Sequence, residues 1–305
     1  MFKTAKTIVK SCLRNSVQLR LNHFPLSLST AEWYAEKFKR WPAVFDDVNH
    51  VKHQRLPAGM EMNLGVVDVI ERTLRTTTEW DPIVEKTLLN CLQPGHVFFD
   101  VGANIGYFSL LASRLVGDSG RVVSFEPSAR ALSKLTAHLC LNRCSNVTVC
   151  SQAMGESVHT EQLHWAPESN IGGSTIARGK PSQGYSESIF IRRLDDVADE
   201  MQLAPDLIKL DIEGFELFAL RGAQKLLAEH HPTVVCELTN QFLHDHGQSG
   251  SEMLCLMRDL GYEAWLLNLN DAGELRATHC DDDQTPADQA EILFSTTAPP
   301  FSQND

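Results

Sequence analysis

From residue 96 onward, apolar positions fall into short unbroken runs separated by stretches with helical spacing. HVFFDV (96–101) reads as a buried strand and YFSLLASRLV (107–116) as a helix. RVVSFE (121–126) is a second strand, residues 128–141 a helix, and NVTVCSQ (146–152) a third strand. Two short extended segments follow near 159–165 and 187–192. The alternation then resumes with LIKLDI (207–212), a helix over 215–229, and TVVCEL (233–238). A helix near 251–260, a strand at 262–268 and a last strand at 291–295 complete the pattern. Apolar strands alternating with helices predict a parallel sheet covered on both faces. Upstream, residues 30–90 carry a looser helical pattern with breaks at Pro42, Pro57 and Gly59. The expected division is therefore a helical extension over 1–80, one α/β domain over 81–298 and a tail over 299–305.

Ligands of such sheets bind beyond the carboxyl ends of the strands, where strand order reverses. That directs attention to residues 100–106, Glu126, Gln152, Ala153, residues 211–213 and Glu237.

Charge sharpens this picture. The 305 residues carry 27 Lys and Arg against 39 Asp and Glu, a net charge of −12. Such a surface argues against a general nucleic-acid binder, which needs cations to displace counterions. Residues 1–31 hold Lys3, Lys6, Lys10, Arg14 and Arg20 and no acid, so the remainder is more acidic still. Phe2, Ala5, Val9, Cys12 and Leu13 share one helical face beside those cations. An arm of that kind suits peripheral contact with an anionic membrane, or packing on the body. Lys6, Lys10 and Arg14 interrupt any secretory apolar core, and no run approaches the ~18 apolar residues of a transmembrane helix. The eight cysteines form no CxxC pair and read as small hydrophobes in a reducing, cytoplasmic setting.

The first strand ends in Asp100-Val-Gly102-Ala-Asn104-Ile-Gly106 and runs into a helix. A dinucleotide fold needs G-x-G-x-x-G so that pyrophosphate meets the helix terminus. Here the spacing is D-x-G-x-x-x-G, which suits a ligand without pyrophosphate and leaves a nicotinamide oxidoreductase as the weaker enzyme alternative. Glu126 ends the second strand, where a carboxylate can accept both hydroxyl hydrogens of a ribose. Strand, glycine loop, helix, strand and acid in that order point to a nucleoside-containing ligand.

DVGANIGYFSLLA, GRVVSFEPS, LIKLDIEGFELFALRGA, PTVVCEL and AEILFS together resemble the FkbM-type family of S-adenosylmethionine-dependent methyltransferases, from about Gly95 to Ser295. The resemblance implies the class I Rossmann-like methyltransferase fold, with a seven-stranded, mostly parallel sheet and the last strand antiparallel between the fifth and sixth. It also implies S-adenosylmethionine as methyl donor and a sugar, glycan or natural-product hydroxyl as acceptor. By position, Asp100 and Gly102 should lie near the methionine moiety, with Asn104 and Gly106 shaping the same loop. Glu126 should hold the ribose, and Gln152 and Ala153 should lie beside the adenine.

Asp211-Ile-Glu213-Gly214-Phe-Glu216 ends the fourth strand and opens a helix, and Glu237 ends the fifth. If the strand ending stays extended, Asp211 and Glu213 share one side. Converging carboxylates are costly unless used or neutralised. They can act as a general base on the acceptor hydroxyl, hold a hard divalent cation, or cap a helix. Capping best explains Glu216. Asp211 is expected in the cofactor or substrate pocket, and Glu213, then Glu237, against the acceptor. A divalent metal is the less favoured use, and Lys209 within the strand can offset the charge.

Smaller signals are the Gly-rich loop 170–175, expected to line the acceptor site, and His244-Asp245-His246, a weak candidate for metal or base. Asp281–Asp283 reads as a solvated loop. Glu79-Trp80 precedes the domain where the family places an aromatic–acid pair. The non-enzymatic alternative is a membrane-associated binding protein, against which the intact Asp100, Gly102, Glu126 and Asp211 argue.

Overall fold

The computed structural model describes residues 51–176, 185–280 and 289–301. The basic arm of residues 1–31 and Asp281–Asp283 lie outside them. All the elements named below belong to the unit that begins at His50.

The described chain opens with a hairpin, β1 (Lys52–Arg55) and β2 (Glu61–Leu64), paired antiparallel. Helices α1 (Val69–Thr77) and α2 (Pro82–Cys91) come after it. The alternating body runs β3 (Val97–Val101), α3 (Tyr107–Val116), β4 (Arg121–Phe125), α4 (Ala129–Leu141) and β5 (Val147–Cys150). A small sheet of β6 (Ala153–Met154), β7 (His159–His164) and β8 (Ser186–Arg192) comes next, then α5 (Leu194–Met201) and β9 (Leu207–Leu210). The last part contains α6 (Glu216–Arg221), α7 (Gln224–His230), β10 (Thr233–Thr239), α8 (Asn240–Asp245) and α9 (Gly250–Asp259). It closes with β11 (Glu263–Leu269), β12 (Leu275–His279) and β13 (Gln289–Ser295).

The main sheet has the order β12-β11-β13-β10-β9-β3-β4-β5. β3, β4, β5, β9 and β10 are parallel, and β13 inserts antiparallel between β10 and β11. This is the class I methyltransferase Rossmann-like fold, with β12 added as an eighth, antiparallel edge strand. Alternation along the strands divides the core in two. Phe98, Val122, Leu207, Val235 and Leu293 face one apolar cluster; Phe99, Val123, Ile208, Val234 and Phe294 face the other.

Two expectations need correction. Residues 52–64 are a hairpin, not helix. Met60, Met62 and Leu64 alternate with polar residues and are all fully buried, which is the period of a strand. The helix expected over 215–229 is broken at Gly222 and Ala223. A Cβ at Gly222 would lie 2.0 Å from the Gly155 carbonyl oxygen, so the chain there packs backbone against backbone.

Candidate active site

Strand register builds a polar row into an otherwise apolar face. Ser124 on β4, Asp100 on β3 and Lys209 on β9 are neighbours across the sheet, continuing to Val235 and Leu293. The Lys209 ammonium lies 3.6 Å from Asp100 and 3.3 Å from Asp211, and donates to the Gly102 carbonyl at 3.0 Å. Burial alone would lower its pKa; Asp211 and then Asp100 outweigh burial and hold it above the ordinary lysine value. Ser109 donates to the other oxygen of Asp100 at 2.6 Å. Burial raises the Asp100 pKa, and Lys209 opposes that rise.

Above this row the glycine loop turns under a cavity of about 370 Å³. Gly102 has φ +81°, and a Cβ there would lie 1.9 Å from the Asp211 carbonyl oxygen. Only glycine fits such a position. Gly106, with φ +94°, starts α3 against Leu135. Glu126 fastens the loop: one carboxylate oxygen accepts from the Asn104 amide at 2.8 Å, the other from the Ser128 amide at 2.8 Å. Burial pushes its pKa up to about 7, against the pull of those two bonds.

Gly102, Asn104, Glu126, Gln152, Ala153, Asp211, Glu213 and Glu237 all line this one cavity. Asp100 and Gly106 do not. Asp100 is fully buried, between Lys209 and Ser109. The expected extended ending at 211–213 is also corrected. The chain turns there, Glu213 adopts φ +56°, and Asp211 and Glu213 reach the cavity around a bend. Glu216 closes that bend, accepting from the Ile212 and Gly214 amides at 2.8 and 3.2 Å, as capping predicts. Burial pushes its pKa up to about 7.

The Gly-rich loop lies over the cavity. Asn170, Ile171, Gly172 and Ser174 line it, and Asp68 holds the Ile171 amide at 2.8 Å while capping α1. Trp80 lines it too. His244 and His246 do not, and His246 packs edge-on to Phe215 instead. Among the described residues no three His, Cys, Asp or Glu side chains are grouped to hold a metal.

Sequence reasoning passed over three lining or neighbouring residues. Asp81 caps α2 in a left-handed conformation and lines the cavity, its pKa raised by burial. Gln289 lines it and donates to Glu237. Glu291 lies opposite Glu237 in the antiparallel ladder. The signal for the last two was their place at the start of the strand QAEILFS, once its partner strand is known.

Residues 100–264, more than half of the chain, match the family described as "Methyltransferase FkbM domain". The chain belongs to the FkbM methyltransferase family. This removes the nicotinamide oxidoreductase alternative. Among FkbM relatives, the 31-O-demethyl-FK506 methyltransferase FkbM of Streptomyces tacrolimicus is 27% identical over 200 residues, covering 56% of this chain and 74% of that protein. Methyltransferase sdnD of Sordaria araneosa is 28% identical over 157 residues, covering 41% and 60%. The crystal structure of methyltransferase FkbM from Methylobacillus flagellatus KT is 20% identical with a TM-score of 0.41, covering 86% of this chain and 60% of that one. This chain thus spans less than two thirds of the length of sdnD and of the Methylobacillus protein.

Proposed function

We propose that this FkbM member transfers a methyl group from S-adenosylmethionine to a hydroxyl of a sugar, glycan or small natural product. The observation that carries the reading is one cavity lined by Gly102 of the glycine loop, Glu126 at the end of β4 and the carboxylates after β9 and β10. The cavity also fits the donor by its unsatisfied polar groups. The Asn104 side-chain oxygen and the Ser128 hydroxyl are buried with no hydrogen-bond partner, and both residues line it. Buried polar atoms of that kind are costly unless a ligand completes them. The relatives from Streptomyces tacrolimicus and Sordaria araneosa are named as methyltransferases, the first acting on a demethylated natural product.

In this reading Asp100 and Gly102 lie near the methionine portion, and Asn104 and Gly106 shape the same loop. Glu126 receives the ribose hydroxyls. Gln152 and Ala153 flank the adenine. The donor supplies an activated methyl group on sulfur. The chain's own residues align the acceptor oxygen with it and exclude water, which can contribute several kcal/mol. Asp211, Glu213 and Glu237 form the acceptor side, where a carboxylate can accept the proton that the hydroxyl gives up. Divalent metal is not part of this reading. The buried thiols of Cys150 and Cys236 agree with action in a reducing cytoplasm. Among the described residues no helix is long and apolar enough to cross a membrane. Contact of residues 1–31 with an anionic membrane surface is a separate part of the proposal, motivated by their charge.

Calorimetry with S-adenosylhomocysteine tests the donor. Binding that Glu126→Ala weakens at least tenfold supports it. Absence of binding, or binding that Glu126→Ala leaves unchanged, refutes it.

A further inference from the structure

The insertion of β13 sets Glu291 directly opposite Glu237. Residues so opposed project from the same face with Cβ atoms roughly 5 Å apart, and like charges there repel. Other acids face the pair. Asp211 follows β9, Glu213 lies on the turn after it, Glu216 begins α6, and Asp81 caps α2. Lys209 is the nearby cation, and it is already engaged by Asp100 and Asp211. The Gln289 amide donates to Glu237 and fixes its carboxyl at the cavity wall. Burial, then the neighbouring carboxylates, push Glu237 up to about 10 and Glu291 well above the usual carboxylate range.

Methyl transfer to a hydroxyl has both a proton and a charge to place. As the O–CH3 bond forms and the S–CH3 bond breaks, the S–C electron pair returns to sulfur, so a sulfonium becomes a neutral thioether. The oxygen sheds its proton in the same event. We propose that Glu237 and Glu291 act as one proton-sharing pair, which releases a proton when the sulfonium binds and takes up the hydroxyl proton during transfer. Glu237 lines the cavity and meets the acceptor. Glu291 stands behind it and acts through it, as a positioning residue. The balance is electrically neutral at both ends. Before transfer a sulfonium of charge +1 faces a pair holding one proton, of charge −1. Afterwards a neutral thioether faces a pair holding two. Product departure leaves the pair in its doubly protonated resting state, so each turnover frees one proton, the one released when the sulfonium binds. Coupled carboxyls of this kind titrate as a unit rather than as two residues.

The inference rests on the donor reading, and the test separates the two. S-adenosylmethionine and S-adenosylhomocysteine are titrated into the full chain by calorimetry, each in two buffers of different ionisation enthalpy. Working at about pH 6.5, below the ordinary α-amino range, keeps the amino groups of both ligands charged. The expected result is release of about one more proton with the sulfonium than with the thioether. Glu291→Gln and Glu237→Gln should each reduce that difference by more than half, with S-adenosylhomocysteine binding reporting that each variant is folded. Equal proton release for the two ligands in the unaltered protein overturns the pair and leaves the donor reading standing. An undiminished difference in both variants also overturns it. Failure of both ligands to bind the unaltered protein overturns the donor reading and the pair with it.

Discussion

Lys209→Met tests how the polar row beneath the site is held. Lys209 is almost fully buried, with only 3% of its side chain exposed, and Asp100 shows no exposure at all. Met matches the length of the lysine stem and adds little packing strain. What it removes is the ammonium between Asp100 and Asp211, along with the bond to the Gly102 carbonyl. Asp211 is 38% exposed, so water compensates for much of its loss. Asp100 has no such outlet. Stranding one partner of a buried pair costs about 3–5 kcal/mol, a large share of the ~5–15 kcal/mol that holds a domain folded. The sign with pH follows from Asp100. Burial already raises its pKa, and loss of Lys209 raises it further, so protonation relieves the stranded charge at low pH. Urea unfolding at about pH 5 and about pH 8 should show a small loss at the lower pH and about 3–5 kcal/mol at the higher. An equal loss at both pH values, or one below about 1 kcal/mol at pH 8, refutes the buried-pair account, because that is the value of an exposed pair.

Gly102→Ala should weaken S-adenosylhomocysteine binding by more than tenfold in calorimetry, since its Cβ meets the Asp211 carbonyl at 1.9 Å and its φ is +81°. Glu216→Gln should flatten the pH dependence of stability. An acid raised from 4.5 to about 7 makes the folded state lose stability as pH rises through that window, by about 3 kcal/mol for a buried group. Thermal melts between about pH 4 and pH 8 should show the shallower slope in the variant. Asp68→Ala removes the cap of α1 and the tether of Ile171 together. It should cost about 1–2 kcal/mol in urea unfolding and weaken acceptor KM more than kcat, with an unchanged KM counting against the loop's role.

The fold was largely legible because the central parallel strands β3, β4 and β9 are short, mostly apolar segments that are buried along most of their length. Positions at the carboxyl ends of the parallel strands, such as Gly102, Glu126, Asp211 and Glu237, could be read as site residues for the same reason, and all four line one cavity. Three things were hidden. The hairpin of residues 52–64 was masked by the helical texture around it, although Met60, Met62 and Leu64 carry a strand period. The burial of Asp100 depends on the neighbour across the sheet, Lys209, which lies 109 residues away. Asp81 and Glu291 join the carboxylates only through tertiary contact, one at a helix cap and the other through an inserted antiparallel strand. Such register is a property of the assembled sheet, set by which strands neighbour one another.

The most direct test of the proposed site is a crystal structure of this chain with S-adenosylhomocysteine bound. The ribose should lie on Glu126, the adenine beside Gln152 and Ala153, and the sulfur should face the open space between Gly102 and the carboxylates Asp211, Glu213 and Glu237. A ligand seated elsewhere, or one whose sulfur points away from those carboxylates, would contradict it.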